Sequence, residues 1–238
     1  VWNSAEILGA CAAALRLHAD QIELEQSVRG LDAMSEVQLH PILATGLSRQ
    51  LSCAVLRETV YPAPDALATG RRPRRSERER CDLVLLPPGA TRLRDAVLEA
   101  ARVEAASDTL FAGAEARAIQ VDPDPLPEDA FWLEVKSVGQ FVVVDGAARP
   151  NRAYGSELRR AVRSDVEKLA AAPGVRAGAM LLVLFAEDVR VASHDWSVAA
   201  REVAGIAGVG WERTDALEVN DRIGNRVCFL GLLPVQKP

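Results

Sequence analysis

The run GAMLLVLFAED, residues 178–188, constrains this chain more than any other stretch. From Gly178 to Ala186 it holds no charged or hydroxyl-bearing side chain. It is too short to cross a bilayer as a helix. Because it is continuously apolar rather than alternating, it reads as a β-strand covered on both faces. Such a strand needs a packed layer above and below, which is an α/β arrangement. The segment before it, about 154–172, sets Leu158, Val162, Val166 and Leu169 on one side of a helix. A helix leading into a buried strand is expected to make a right-handed crossover to a parallel neighbour.

The N-terminal part supplies further helices. Leu8, Cys11, Leu15, His18 and Ile22 recur at steps of three and four, predicting a helix over 4–29 with Ser4 as its cap and Gly30 as its stop. His18 in that stripe reads as a packed core histidine. A second helix begins at about 36, where Ser35 and Gln38 fit a capping box, or at 41, where Pro41 fits a first helical position after His40. It runs to about 52 and lines Leu39, Leu43, Leu47, Leu51 and Ala54 along one side. The period then changes to two. In CAVLRETVYP, Leu56, Glu58 and Val60 are expected on one face, with Val55, Arg57, Thr59 and Tyr61 on the other. RCDLVLLPP and AFWLEVKSV read as the next two strands, pairing with the first as a meander. A helix over 195–207 and a final strand, RVCFLGLLPV, complete the chain.

Charge and cysteine usage remove several classes of function. With 49% apolar and 26% charged residues the 238-residue chain is globular, and a net charge of −5 excludes a globally basic nucleic-acid coat. The four cysteines, Cys11, Cys53, Cys81 and Cys228, form no CxxC pair, and with only three histidines beside them a zinc site is not expected. They read as buried thiols of a reducing compartment. The absence of a signal-peptide pattern and of a membrane-length apolar run points to the cytoplasm. No GxGxxG or GxxxxGK[ST] loop is present, which disfavours nucleotide-binding folds.

The sharpest chemical feature is Glu134-Val135-Lys136 within an otherwise apolar strand. Alternation projects Glu134 and Lys136 from one face, flanked by Trp132 and Val138. Charge placed where burial is expected must be paired or must hold a metal. Asp82, between Cys81 and Leu83, and Glu58 pose the same question in the two preceding strands. If the three strands are neighbours, Glu58, Asp82 and Glu134 converge. With the carbonyl of Val135 they make a hard oxygen set suited to Mg²⁺ or Mn²⁺. Only Lys136, Lys168 and Lys237 are lysines among 28 basic residues, so each stands out from an arginine background. Lys168 with Asp165 fits an ordinary i,i+3 helix pair.

These residues resemble the PD-(D/E)XK nuclease superfamily, with its restriction endonuclease-like fold, over roughly residues 36–186. Asp82 in RCDLVL matches the motif's aspartate, and Glu134 and Lys136 in FWLEVK match its E-x-K half. Glu58 resembles the extra glutamate of many members, Glu36 the first-helix glutamate of some, and Gln140 a glutamine that recurs in certain branches. Cys81 stands before Asp82 where the motif has proline, and 52 positions separate Asp82 from Glu134.

The resemblance implies a mixed central sheet flanked by helices, an αβββαβ core. It carries an N-terminal helix and a helical insertion between the second and third strands. On this reading residues 1–238 are one domain: a helical part over 1–35, a core over 36–186 with an insertion over 89–129, and a C-terminal helix and strand over 187–238. It also implies Mg²⁺- or Mn²⁺-dependent phosphodiester hydrolysis, on DNA more than RNA, in prokaryotic defence, restriction or repair. Asp82, Glu134 and Lys136 would be catalytic. Glu58, Asp82, Glu134 and Val135 would hold metal, supported by Glu36 and Gln140.

RRPRRSERER, residues 71–80, carries six arginines and two glutamates. Arg71, Arg72, Arg74 and Arg75 there, and Arg160 and Arg163 on the later helix, are the candidate phosphate contacts. A homodimer or a larger defence complex, away from membranes, is the expected assembly. The rival reading is an idle member of the fold, serving as a nucleic-acid-binding or protein-interaction subunit.

Overall fold

The structure is a computed structural model that describes residues 2–62, 79–94, 124–210 and 212–237. A six-stranded mixed sheet runs through its centre. The strands are β1 (Val55–Val60), β2 (Arg80–Leu85), β3 (Phe131–Gly139), β6 (Ala177–Ala186), β7 (Arg213–Glu218) and β8 (Val227–Gln236). Their order across the sheet is β1-β2-β3-β6-β8-β7. The first three pair antiparallel as a meander, β3 and β6 run parallel, and β8 returns antiparallel to both β6 and β7. The apolar run at 178–186 is β6, at the middle of the sheet and buried over all but its first residue.

Helices cover both faces. α1 (Ser4–Leu24) and α2 (Glu36–Leu51) pack on the side reached by Leu83, Leu85, Leu133, Val135, Leu181 and Leu230. On the opposite side lie α3 and α4 (Val189–Val203), against Val84, Trp132, Leu182, Leu184 and Phe229. α3 runs through three stretches: Tyr154–Ser156, a π-helical Glu157–Ala161, and Val162–Ala171. It supplies the connection from β3 toward β6. Gly231 of β8 lies so close under Trp196 of α4 that an added Cβ would fall within the indole ring. Among the described residues no helix is long and apolar enough to cross a membrane. All four cysteines are buried and unpaired, and burial raises every one of their thiol pKa values.

Several expected boundaries shift for local reasons. α1 starts after Asn3, whose side chain accepts the Ala5 N–H at 3.0 Å, so Asn3 and not Ser4 is the cap. The helix ends at Leu24, five residues short of the expected end at 29, and His18 is only half-buried outside its core stripe. α2 starts at Glu36, with the Ser35 N–H donating to Gln38 Oε1 at 2.8 Å, and Pro41 lies inside it. α4 starts at Val189 because Asp188, read as the end of β6, caps it by accepting the Val191 N–H at 2.8 Å.

Three strands were not expected. β4 (Phe141–Val144) and β5 (Ala147–Pro150) form a separate hairpin. It turns at Asp145-Gly146, both with positive φ (52° and 77°), as a type I′ turn needs. β7 was missed because RTDALE lacks a strong apolar alternation.

The long connections return to their origins. Residues 63–78 leave the β1–β2 ladder, which the Tyr61 N–H closes on the Glu79 carbonyl at 3.1 Å. Residues 95–123 leave from a neck where the Arg94 N–H meets the Pro125 carbonyl at 2.9 Å and Arg92 pairs with Asp124. The distance in sequence between Asp82 and Glu134 therefore does not part their strands. The expected helix within 89–129 lies mostly outside the described residues.

A buried polar knot fixes the chain beyond β3. Asn225, fully buried, exchanges hydrogen bonds with the backbone of Phe141 at 3.2 and 3.1 Å and donates to Asp32 Oδ2 at 3.1 Å. Burial raises the Asp32 carboxyl pKa, against the pull of Asn225 and Arg222. The fold thus favours protonated Asp32. That contribution is complete below the ordinary carboxylate pKa of about 4 and is lost as pH climbs through the higher folded value. Asp32→Asn removes the titration and keeps an oxygen for Asn225. Its unfolding free energy relative to the parent, from urea midpoints at pH 4, 5, 6 and 7, is expected to rise from pH 4 and to level off above the folded pKa of Asp32.

Candidate metal centre

The site forms where β2 and β3 part. Their ladder joins Leu85 to Phe131, Val84 to Trp132 and Leu83 to Leu133, and goes no further. Past that point the edge N–H groups of β3 are taken by side chains. Asp82 Oδ2 accepts the Val135 N–H at 2.8 Å, and Glu36 Oε2 accepts the Ser137 N–H at 3.0 Å. Asp82 comes from β2 and Glu36 from the first turn of α2. Two carboxylates thus replace a neighbouring strand.

Glu58 and Asp82 meet because β1 and β2 change face at one level. Strict alternation would set Tyr61 beside Val55. Instead Tyr61 packs with Leu56 on the α3 side, and Cys81 joins it there while Leu83 and Leu85 face α1 and α2. Register is kept, since Arg57 pairs with Leu83 and Thr59 with Cys81. Between those pairs Glu58 adopts a left-handed backbone, φ 52°. The expected face for Tyr61 is therefore corrected: one residue in αL rotates the strand about its axis.

His40 completes the group. One turn after Glu36 on α2, its imidazole is 4% exposed. Nδ1 lies 3.6 Å from Glu58 Oε1 and Nε2 lies 3.9 Å from Asp82 Oδ1. These separations are too long for hydrogen bonds. His40 Nε2 is buried without a hydrogen-bond partner. A buried donor-acceptor atom beside two carboxylates is costly unless an ion or an ordered water satisfies it. His40, Glu58 and Asp82 each place one donor atom within 4.8 Å of the others, a cluster able to chelate a metal ion. The donor set fits a divalent cation.

Glu134 sits on the other side of the strand. It is 2% exposed, and its Oε1 accepts the Tyr61 hydroxyl at 2.5 Å and the Lys168 ammonium at 2.7 Å. Burial, then the nearby Asp82, pushes the Glu134 carboxyl up to about 8, against the pull of Lys168 and Tyr61. Burial alone would lower Lys168, but Glu134, with Asp165 and Asp82, outweighs it and raises the amine. Lys136 reaches round the free edge of β3 to Glu36 Oε2 at 3.1 Å. Burial disfavours its charge too, yet Glu36, Asp165 and Glu157 raise it overall.

The site residues expected from sequence are thus divided. Glu58 and Asp82 come together, with His40 where Glu134 was expected. Lys136 and Glu36 form a pair. Gln140 faces away, its Oε1 accepting the Glu187 N–H at 2.8 Å. Arg160 and Arg163 are exposed on α3, with Arg163 bonded to Glu167 at 2.7 Å. Arg71, Arg72, Arg74 and Arg75 lie outside the described residues.

His40, Tyr61 and the inward role of Lys168 were missed by sequence reasoning. The available signal for His40 was its spacing of four from Glu36, which puts both on one helix face. Comparison with known protein families, with curated proteins and with solved structures gives no match.

Glu58 holds an unfavourable backbone to deliver its carboxylate. Glu58→Gly is expected to raise the stability of the metal-free protein by about 0.5–1 kcal/mol, the αL cost less the added freedom of the unfolded glycine. The same change removes one donor from the cluster. Urea midpoints in EDTA and with Mn²⁺ measure both effects, and the metal-induced gain of the parent should shrink.

Proposed function

We propose that this chain is a metal-dependent phosphodiesterase of the PD-(D/E)XK type that cuts nucleic acid, DNA in preference to RNA. The observation that carries the reading is the orphaned Nε2 of buried His40, set beside Glu58 and Asp82 at the point where β2 and β3 part. His40, Glu58 and Asp82 would hold the ion. Glu134 and the Val135 carbonyl complete the set, since in a strand the C=O and N–H of one residue point to the same edge. One imidazole among carboxylates shifts the preference from Mg²⁺ toward Mn²⁺. When bound, such an ion supplies Lewis acidity, lowering the pKa of a water and offsetting charge on a phosphate under attack.

The chain's own residues do the rest. The Val135 N–H fixes Asp82 so that its Oδ1 stays turned toward His40. Glu36 keeps the Lys136 ammonium at the open edge of β3, charged and aimed where a phosphate oxygen would gain negative charge. Arg160 and Arg163, with the arginines of residues 71–75, would grip the backbone away from the cut. The setting proposed is prokaryotic defence, restriction or repair, as a single-domain chain, a homodimer or part of a larger complex.

Incubation of the purified chain with plasmid DNA and with RNA, in Mn²⁺, Mg²⁺ or EDTA, tests the reading. Cleavage is expected with Mn²⁺ above Mg²⁺ and none in EDTA. His40→Ala, Asp82→Asn, Glu134→Ala and Lys136→Ala should each lower it by at least about 100-fold. Binding without cutting in every metal would mark a non-cutting nucleic-acid-binding subunit instead.

A further inference from the structure

Among the proposed side-chain ligands, Glu134 is the one whose carboxylate is held by side chains outside the ion cluster. Both donors to its Oε1 are themselves fixed. Tyr61 stacks on Trp132 at 5.2 Å with 18° between the rings. Trp132 and Glu134 are alternate residues on one face of β3, so the platform under the phenol and the acceptor of its proton share one strand. Lys168 Nζ lies 5.8 Å over the Tyr61 ring and 3.5 Å from Asp165 Oδ1. Among the described residues, His40, Glu58 and Asp82 are the group whose donor atoms gather within 4.8 Å, and Glu134 is not in it.

We propose that Tyr61 and Lys168 are positioning residues that hold Glu134 back from the ion site, so that His40, Glu58 and Asp82 take up a divalent ion first and Glu134 joins only when its two bonds are broken. This rests on the ion-site reading above. An arriving phosphodiester offers Lys168 a second anion. Exchange of Glu134 for a phosphate oxygen leaves the ammonium paired and releases the carboxylate toward the ion. Metal and anionic substrate then bind with positive coupling, which by linkage acts in both directions. Tyr61 contributes a neutral donor, so its removal loosens Glu134 without altering the charge around the ion.

Mn²⁺ titrations of the intact chain, followed by electron paramagnetic resonance, test the arrangement without reference to cleavage. Tyr61→Phe keeps the ring and its stack, and is expected to bind Mn²⁺ about three- to tenfold more tightly than the parent. Lys168→Gln should do the same. Each gain should vanish when Glu134→Gln is added, because the freed group is then absent, whereas a general charge effect of losing Lys168 would persist. Parent-like or weaker Mn²⁺ binding by Tyr61→Phe, or a gain that survives Glu134→Gln, overturns the holding role and leaves the ion site intact. A parent chain with no Mn²⁺ binding that His40→Ala abolishes overturns the ion-site reading, and the holding role with it.

Discussion

The separation of β2 from β3 after Leu83 and Leu133 is the constraint from which the site follows. A β-strand in the middle of a sheet cannot leave its edge N–H groups bare. Asp82 and Glu36 take the N–H groups of Val135 and Ser137. Each carboxylate is thereby drawn into the sheet from a different element, and neither can leave without orphaning a backbone donor. Lys136, anchored by Glu36, and His40, one helical turn further along α2, are carried in with them. The polar cluster is thus a product of backbone hydrogen-bond accounting before it is a product of side-chain chemistry.

The balance of charge then explains the division of the site. Among the described residues carboxylates outnumber ammonium groups around β3: Glu36, Glu58, Asp82, Glu134, Glu157 and Asp165 lie near Lys136 and Lys168. On the α3 side Lys168 and the Tyr61 hydroxyl satisfy Glu134, so that half is neutralised from within. On the α2 side His40 brings a nitrogen that, among the described residues, lacks a hydrogen-bond partner, and no described ammonium group contacts the two carboxylates beside it. With the side chains so arranged, the second half is the one that could hold a divalent cation.

Much of the architecture was legible in residue order. The uninterrupted apolar run of β6 forced two covering layers, and the period-two stretches around Glu58, Asp82 and Glu134 marked the meander. Those same stretches marked the acids, because a carboxylate amid buried hydrophobics stands out whatever the fold. What stayed hidden depended on relations between elements. The exchange of faces at Glu58 comes from one backbone angle that glutamate does not advertise. The role of His40 exists only because α2 crosses the opening between two strands. Lys168 read as one half of a surface helix pair, since nothing in the helix itself says that its amine turns inward. The β4–β5 hairpin is different: Asp145-Gly146 between apolar runs is a strong turn signal that was present and passed over.

Two closing contacts described with the fold have a broader meaning. The Tyr61–Glu79 bond and the Arg94–Pro125 bond seal the points where residues 63–78 and 95–123 depart and rejoin. Each bond joins the two ends of its connection on the sheet side. Either segment can therefore be lengthened, shortened or exchanged over generations while the carboxylates keep their places. A chain partitioned in this way lets both connections change in length and sequence without rebuilding the His40–Glu58–Asp82 cluster.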